Sequence, residues 1–143
     1  MLLRKLATFL ERKFSPILGK LLYPPTGVNV LCWTDENKEK LVVLRTGNEV
    51  GLPGGTLNTS EHPLEAAERE FREETGLKCN VLDLITMKTE WNGILGLHIF
   101  YEAELTEDFE NKEASWEGNP EIIPIKDANQ EISNLITEAK ESK

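Results

Sequence analysis

Apolar residues recur at three- and four-residue intervals over the first fourteen positions, at Leu2, Leu3, Leu6, Phe9, Leu10 and Phe14, with Arg4, Lys5, Glu11, Arg12 and Lys13 between them. That spacing predicts an amphipathic helix, closed by Pro24-Pro25. The pattern then changes period. Val28 to Trp33 and Leu41 to Arg45 read as strands around the polar turn Asp35-Glu36-Asn37-Lys38, and so as a hairpin. Gly51 to Gly55 reads as a turn-rich loop, and a helix is predicted from Pro63 to Thr75. Pro63 suits the first helical position, Glu65 places negative charge in the first turn, and Gly76 suits the left-handed residue past the end. Val81 to Trp91 and Ile94 to Leu105 are strand-like and meet at Asn92-Gly93, a tight-hairpin signal. Ile122 to Ile125 reads as a short strand, and Asn129 to Ala139 as an amphipathic helix bearing Ile132, Leu135 and Ile136. Hairpins with flanking helices imply an α+β domain with a mixed sheet over residues 23–143, preceded by an amphipathic helical segment over residues 1–22.

The 143 residues suit one domain, and no apolar run is long enough to span a membrane. The net charge of −9 argues against a general nucleic-acid surface, which needs clustered Lys and Arg. A phosphate-bearing substrate would need metal ions to approach so acidic a protein. The charge is unevenly spread: the first twenty residues hold five Lys and Arg against Glu11, the remainder eleven against twenty-four acids. A basic amphipathic helix can lie on an anionic membrane, but packing on its own domain or on a second subunit is the favoured reading, which makes a homodimer a candidate assembly. Charges interrupt the apolar stretch too early for a secretory signal. Cys32 and Cys79 lack the spacing of a zinc or redox motif and read as buried reduced thiols, suited to the cytoplasm.

The informative stretch runs from Gly55 to Leu77. Glu70 precedes Glu73 and Glu74 by three and four residues, so the predicted helix presents three carboxylates within one turn. Such charges repel unless cations neutralise them, and their oxygens suit Mg²⁺ or Mn²⁺. Taken alone, the cluster reads first as a solvated acidic face. The stretch also resembles the Nudix box, G-x5-E-x7-R-E-U-x-E-E-x-G-U with U apolar. Gly55, Glu61, Arg69, Glu70, Phe71, Glu73, Glu74, Gly76 and Leu77 fill every specified position. A chance match is on the order of one in ten million for a chain of this length.

The resemblance implies the Nudix fold, a mixed sheet sandwiched between helices, and Mg²⁺-dependent hydrolysis of a nucleoside diphosphate linked to another moiety, with Mn²⁺ as a substitute. By position it makes Glu70, Glu73 and Glu74 metal ligands, joined by a backbone carbonyl near Gly54 or Gly55. It makes Arg69 a residue that orients the carboxylates through Glu73. A shorter likeness to the MutT branch of the family extends downstream. Glu117, in Glu117-Gly118-Asn119-Pro120, is similar to a fourth acidic ligand, Arg45 to a phosphate-contacting arginine, and Asn129 to a base-reading asparagine. The bland alternatives are a solvated loop acid, a surface arginine and a helix N-cap. His62 stands where the family often has a better-capping Ser or Thr. The proline of many ADP-ribose hydrolases and the tyrosine of dinucleoside polyphosphate hydrolases are missing at their usual distances past the box, which lowers both classes.

With only His62 and His98, and no nucleophile elbow, a side-chain nucleophile has little support. Metal-activated water is the expected nucleophile, with Glu117 or one of Glu70, Glu73 and Glu74 accepting its proton. The substrate class stays open among nucleoside triphosphates, nucleotide sugars and similar small molecules. The alternative is a Nudix domain that senses a nucleotide without cleaving it. Trp91, Phe100, Tyr101 and Trp116 read as packing residues before base-stacking ones.

Overall fold

The structure, a computed structural model, describes residues 25–91, 95–111 and 118–143. The expected N-terminal helix, the Asn92-Gly93 turn, Trp116 and Glu117 lie outside the described residues. Within the described residues seven strands form one sheet: β1 (Thr26–Trp33), β2 (Lys40–Thr46), β3 (Glu49–Gly51), β4 (Gly54–Thr56), β5 (Cys79–Trp91), β6 (Leu95–Leu105) and β7 (Pro120–Pro124). Among the described residues two α-helices accompany them, α1 (Pro63–Thr75) and α2 (Gln130–Glu141).

The central strand β1 lies parallel to β6, in register from Thr26 opposite Leu97 to Trp33 opposite Glu104. Every other pairing is antiparallel, in the order β3-β2-β1-β6-β5, with β4 added to β1 and β7 to β2. The sheet is therefore mixed, as the alternation of hairpins and helices implies. Two strands differ from expectation. Gly51 and Gly54-Gly55 were expected in a loop but end β3 and begin β4, because β2 and β1 supply their hydrogen-bonding partners. Only the Leu52-Pro53 corner between them lies outside the ladders.

Period-two alternation divides β1 between two cores. Val28, Val30 and Cys32 face α1, where Ala66, Ala67 and Phe71 are fully buried. Leu31 and Trp33 face α2 together with Leu41, Val43, Ile132 and Ile136. Burying each large apolar side chain stabilises the fold by about 1.5–3 kcal/mol. The sheet is thus sandwiched between the two helices, with small Ala66 and Ala67 letting α1 approach closely. Cys32 is buried and Cys79 half-buried, both as free thiols on the α1 face. A hydrogen bond with Cys79 and burial push the Cys32 thiol far above its ordinary pKa, so it stays protonated and inert.

On the α2 face, Glu102 is buried and accepts from Trp33 Nε1 at 2.8 Å, from Lys38 and from Lys143 at 2.9 Å. Burial pushes its carboxyl up, but these donors outweigh burial and leave its pKa below the usual carboxylate value.

Candidate active site

Both ends of α1 are fixed locally. His62 was expected to cap poorly, yet its Nδ1 accepts the Leu64 N–H at 3.1 Å. An imidazole nitrogen in its acceptor state can replace the expected hydroxyl. At the other end Gly76 has φ of 70° and donates its N–H to Arg72 O at 2.9 Å. With Phe71 and Thr75 buried beneath the helix, its next face carries Arg69, Glu70, Glu73 and Glu74 along β4.

Arg69 is the hub of that face. Its Nε and Nη2 donate to the two oxygens of Glu61 at 2.7 and 3.0 Å, and Nη2 also donates to Thr56 O at 3.0 Å. Its Nη1 donates to Glu70 at 2.8 Å and Glu73 at 3.1 Å. The expected link to Glu73 is present, together with two partners given no role from the sequence. Glu61 is a specified position of the box, but its partnership with Arg69 crosses the bend before the helix and is not a helical i, i+4 contact. The hydrogen bonds from Arg69 and the Asn58 N–H lower the Glu61 pKa to about 2. Glu61, followed by Glu70, raises that of Arg69.

The glycines of β4 let the backbone meet these carboxylates. A Cβ on Gly55 would stand 2.3 Å from Glu70 Cδ and Oε2, and one on Gly54 would stand 2.1 Å from Val28 O. The Gly54 N–H donates to Glu74 Oε2 at 3.0 Å. Glu70 and Glu74 therefore both lie against the Gly54-Gly55 backbone, while the Glu73 side chain is half exposed. This is an all-oxygen donor set of the kind that fits a hard divalent cation. No three His, Cys, Asp or Glu side chains among the described residues are already gathered as a metal cage. Arg69 and the Gly54 N–H engage the carboxylates individually.

The structure places the outlying candidates differently. Arg45 pairs with Glu121 on β7 through Nε and through Nη2, the latter at 3.2 Å. Asn129 caps α2, its Oδ1 accepting the Ile132 N–H and its Nδ2 donating to Val50 O, both at 2.9 Å. The bland role named for it is present. It also lines a cleft of about 220 Å³ with Asn29, Gly51, Leu52, Phe100, Glu131, Ile132 and Leu135. Of the aromatic candidates, Phe100 and Tyr101 are buried, whereas Trp91 is 75% exposed and does not pack as expected. Gly118 abuts α1: a Cβ there would stand 2.4 Å from Glu74 O.

A Nudix domain profile matches residues 24–139. A NUDIX hydrolase from Nitrosomonas europaea superimposes with a TM-score of 0.68 at 17% identity, covering 85% of this chain and 91% of that one. A UDP-X diphosphatase gives 0.68 at 18% identity, covering 98% and 79%. An ADP-ribose pyrophosphatase from Streptococcus suis gives 0.65 at 13% identity, covering 85% and 93%. No curated protein matches the sequence. A profile that spans the seven described strands, the first described helix and most of the second, and a box whose Glu70 and Glu74 rest on the Gly54-Gly55 backbone, lead to one assignment: the chain belongs to the Nudix hydrolase family.

Proposed function

We propose that the chain hydrolyses a phosphoanhydride bond in a nucleoside diphosphate derivative, a nucleoside triphosphate, a nucleotide sugar or a similar small molecule. The observation that carries this reading is the seating of Glu70 and Glu74 against the glycine backbone of β4. An acidic helix face that served only solubility would point into water. These carboxylates are held by a guanidinium and a backbone N–H.

In this reading Glu70, Glu73, Glu74 and Glu117, with a carbonyl of Gly54 or Gly55, hold Mg²⁺, and Mn²⁺ substitutes. Bound there, the metal would neutralise the diphosphate and lower the pKa of the attacking water. Arg69 spreads its positive charge between Glu70 and Glu73, limiting their repulsion before a cation arrives, and Glu61 holds the guanidinium in place. The water's proton passes to Glu117 or to a member of the Glu70, Glu73, Glu74 set. The contact of Gly118 with the Glu74 carbonyl supports Glu117, its chain neighbour, as part of the site.

Arg45 would contact a substrate phosphate by exchanging one bond to Glu121 for one to the phosphate. Asn129 spends one donor and one acceptor on protein, and a primary amide has a second of each to offer a base. Two superimposable proteins are named for UDP-X and ADP-ribose, so both kinds of compound join nucleoside triphosphates in the screen.

The test is turnover of nucleoside triphosphates, UDP-sugars, ADP-ribose and dinucleoside polyphosphates, with products identified by mass. Activity absent in EDTA and restored by Mg²⁺ or Mn²⁺ is expected. Full turnover in chelator would overturn the metal mechanism. Tight nucleotide binding without turnover would favour the sensor reading.

A further inference from the structure

We propose that the chain's own residues 2–14 dock as a helix on an apolar strip of the β5–β6 ribbon, beside α1. The strip is formed by Leu84, Met87, Trp91 and Leu95, which are 43%, 58%, 75% and 46% exposed. Register places them on one side of the sheet: Leu84 pairs with Tyr101, Met87 with Ile99 and Trp91 with Leu95. Tyr101 and Ile99 belong to the core beneath α1. The strip therefore continues that core past the end of α1's cover, and four large apolar side chains in line are a surface that proteins normally bury.

Where the N-terminal segment enters the fold identifies its occupant. Pro25 O accepts the Leu97 N–H at 3.0 Å, and Thr26 pairs with Leu97. The segment thus joins the sheet two residues from Leu95, at one end of the strip. Residues 15–24 can span at most roughly 33 Å. A helix over residues 2–14 would be about 20 Å long. The distance along β5 from Leu84 to Trp91 is about 23 Å. Length, tether and reach agree. The segment's apolar stripe at Leu2, Leu6, Phe9 and Leu10 would meet the strip, leaving Arg4, Lys5, Arg12 and Lys13 against a remainder that holds eleven cations and twenty-four acids. A tethered segment acts at millimolar effective concentration, which favours it over a second copy or a lipid surface.

The test is disulfide trapping in the full chain. Met87→Cys is combined in turn with Leu6→Cys, Phe9→Cys and Leu10→Cys, with Cys79 replaced by Ala and with single-cysteine controls, all checked for an unchanged unfolding transition. At low micromolar protein, mild oxidation should give an intrachain product of monomer mass and altered mobility for at least one pair. Exclusive formation of interchain dimers would assign the strip to a second copy and overturn the proposal. Failure of all three pairs to cross-link would overturn it as well. So would flotation of the unsubstituted full chain with vesicles containing anionic phospholipid, which would place the apolar stripe on a membrane.

Discussion

Glu61 and Arg69 face each other through two hydrogen bonds, Nε to one carboxylate oxygen and Nη2 to the other. The pair ties the loop ahead of α1 to the residue that touches both Glu70 and Glu73. Glu61→Gln keeps the length but removes the second acceptor and the charge. Turnover should fall by roughly tenfold to a hundredfold, as expected when a neighbour of the reacting groups shifts by a fraction of an ångström. Steady-state kinetics on the variant checks this. The pair also has a pH signature. Because the folded-state pKa of Glu61 is lowered from 4.5 to about 2, its stabilisation is complete above about 4.5 and is lost as pH falls towards 2. The difference in melting temperature between wild type and Glu61→Gln should be constant at neutral pH and shrink across that window.

Gly55→Ala and Gly54→Ala separate a positioning defect from a folding defect. The Cβ at 55 meets the end of the Glu70 side chain, which can swing aside, whereas the Cβ at 54 meets the Val28 carbonyl in the neighbouring strand. Gly55→Ala should keep most of its stability and lose turnover by about a hundredfold. Gly54→Ala should lose stability first. Thermal melts and activity assays on both variants decide it, and equal melting temperatures would contradict the geometry.

Glu73→Gln and Glu74→Gln should each lower turnover by roughly a hundredfold or more, comparable with losing other groups that stabilise transition-state charge. Glu68→Gln, at a position the box leaves unspecified, should not. Simple repulsion along the helix would make the metal-free Gln variants slightly more stable, but Glu73 bonds Arg69 and Glu74 accepts from Gly54. The two effects should offset to within about 0.5 kcal/mol. Chemical denaturation in EDTA measures the difference.

Glu102→Ala should destabilise the fold by about 2–3 kcal/mol, since it strands the Trp33 indole N–H in a buried site and releases two lysines. Activity at low temperature should persist. Denaturant unfolding followed by Trp fluorescence provides the measurement.

Features written in consecutive residues were legible in the sequence. The limits of α1, its left-handed Gly76 and the carboxylate face all follow from local spacing. Partnerships across the fold were not. Arg45 meets Glu121 and Asn129 meets Val50, each about eighty residues away in the chain, and a short motif carries no sign of such partners. The glycines at 51, 54 and 55 carry turn chemistry, so only the neighbouring strands could make them strands. His62 shows a similar limit: its rank as a cap is an average, and one well-placed ring nitrogen overrides it.

The parallel pairing of β1 with β6 has a consequence for biosynthesis. Thir two strands are about seventy residues apart in the chain, so the contact that completes the middle of the sheet carries a long loop-closure cost. A ribosome releases Val28, Val30 and Leu31 well before their neighbours on β6 exist, and releases the acidic helix before its supporting sheet is closed. The nascent chain must keep those β-branched and aliphatic side chains from other partners until Leu105 has emerged. β2, which pairs β1 at Cys32 and Trp33, and β4, which pairs it from Gly27 to Asn29, lie close in sequence and are its early local partners.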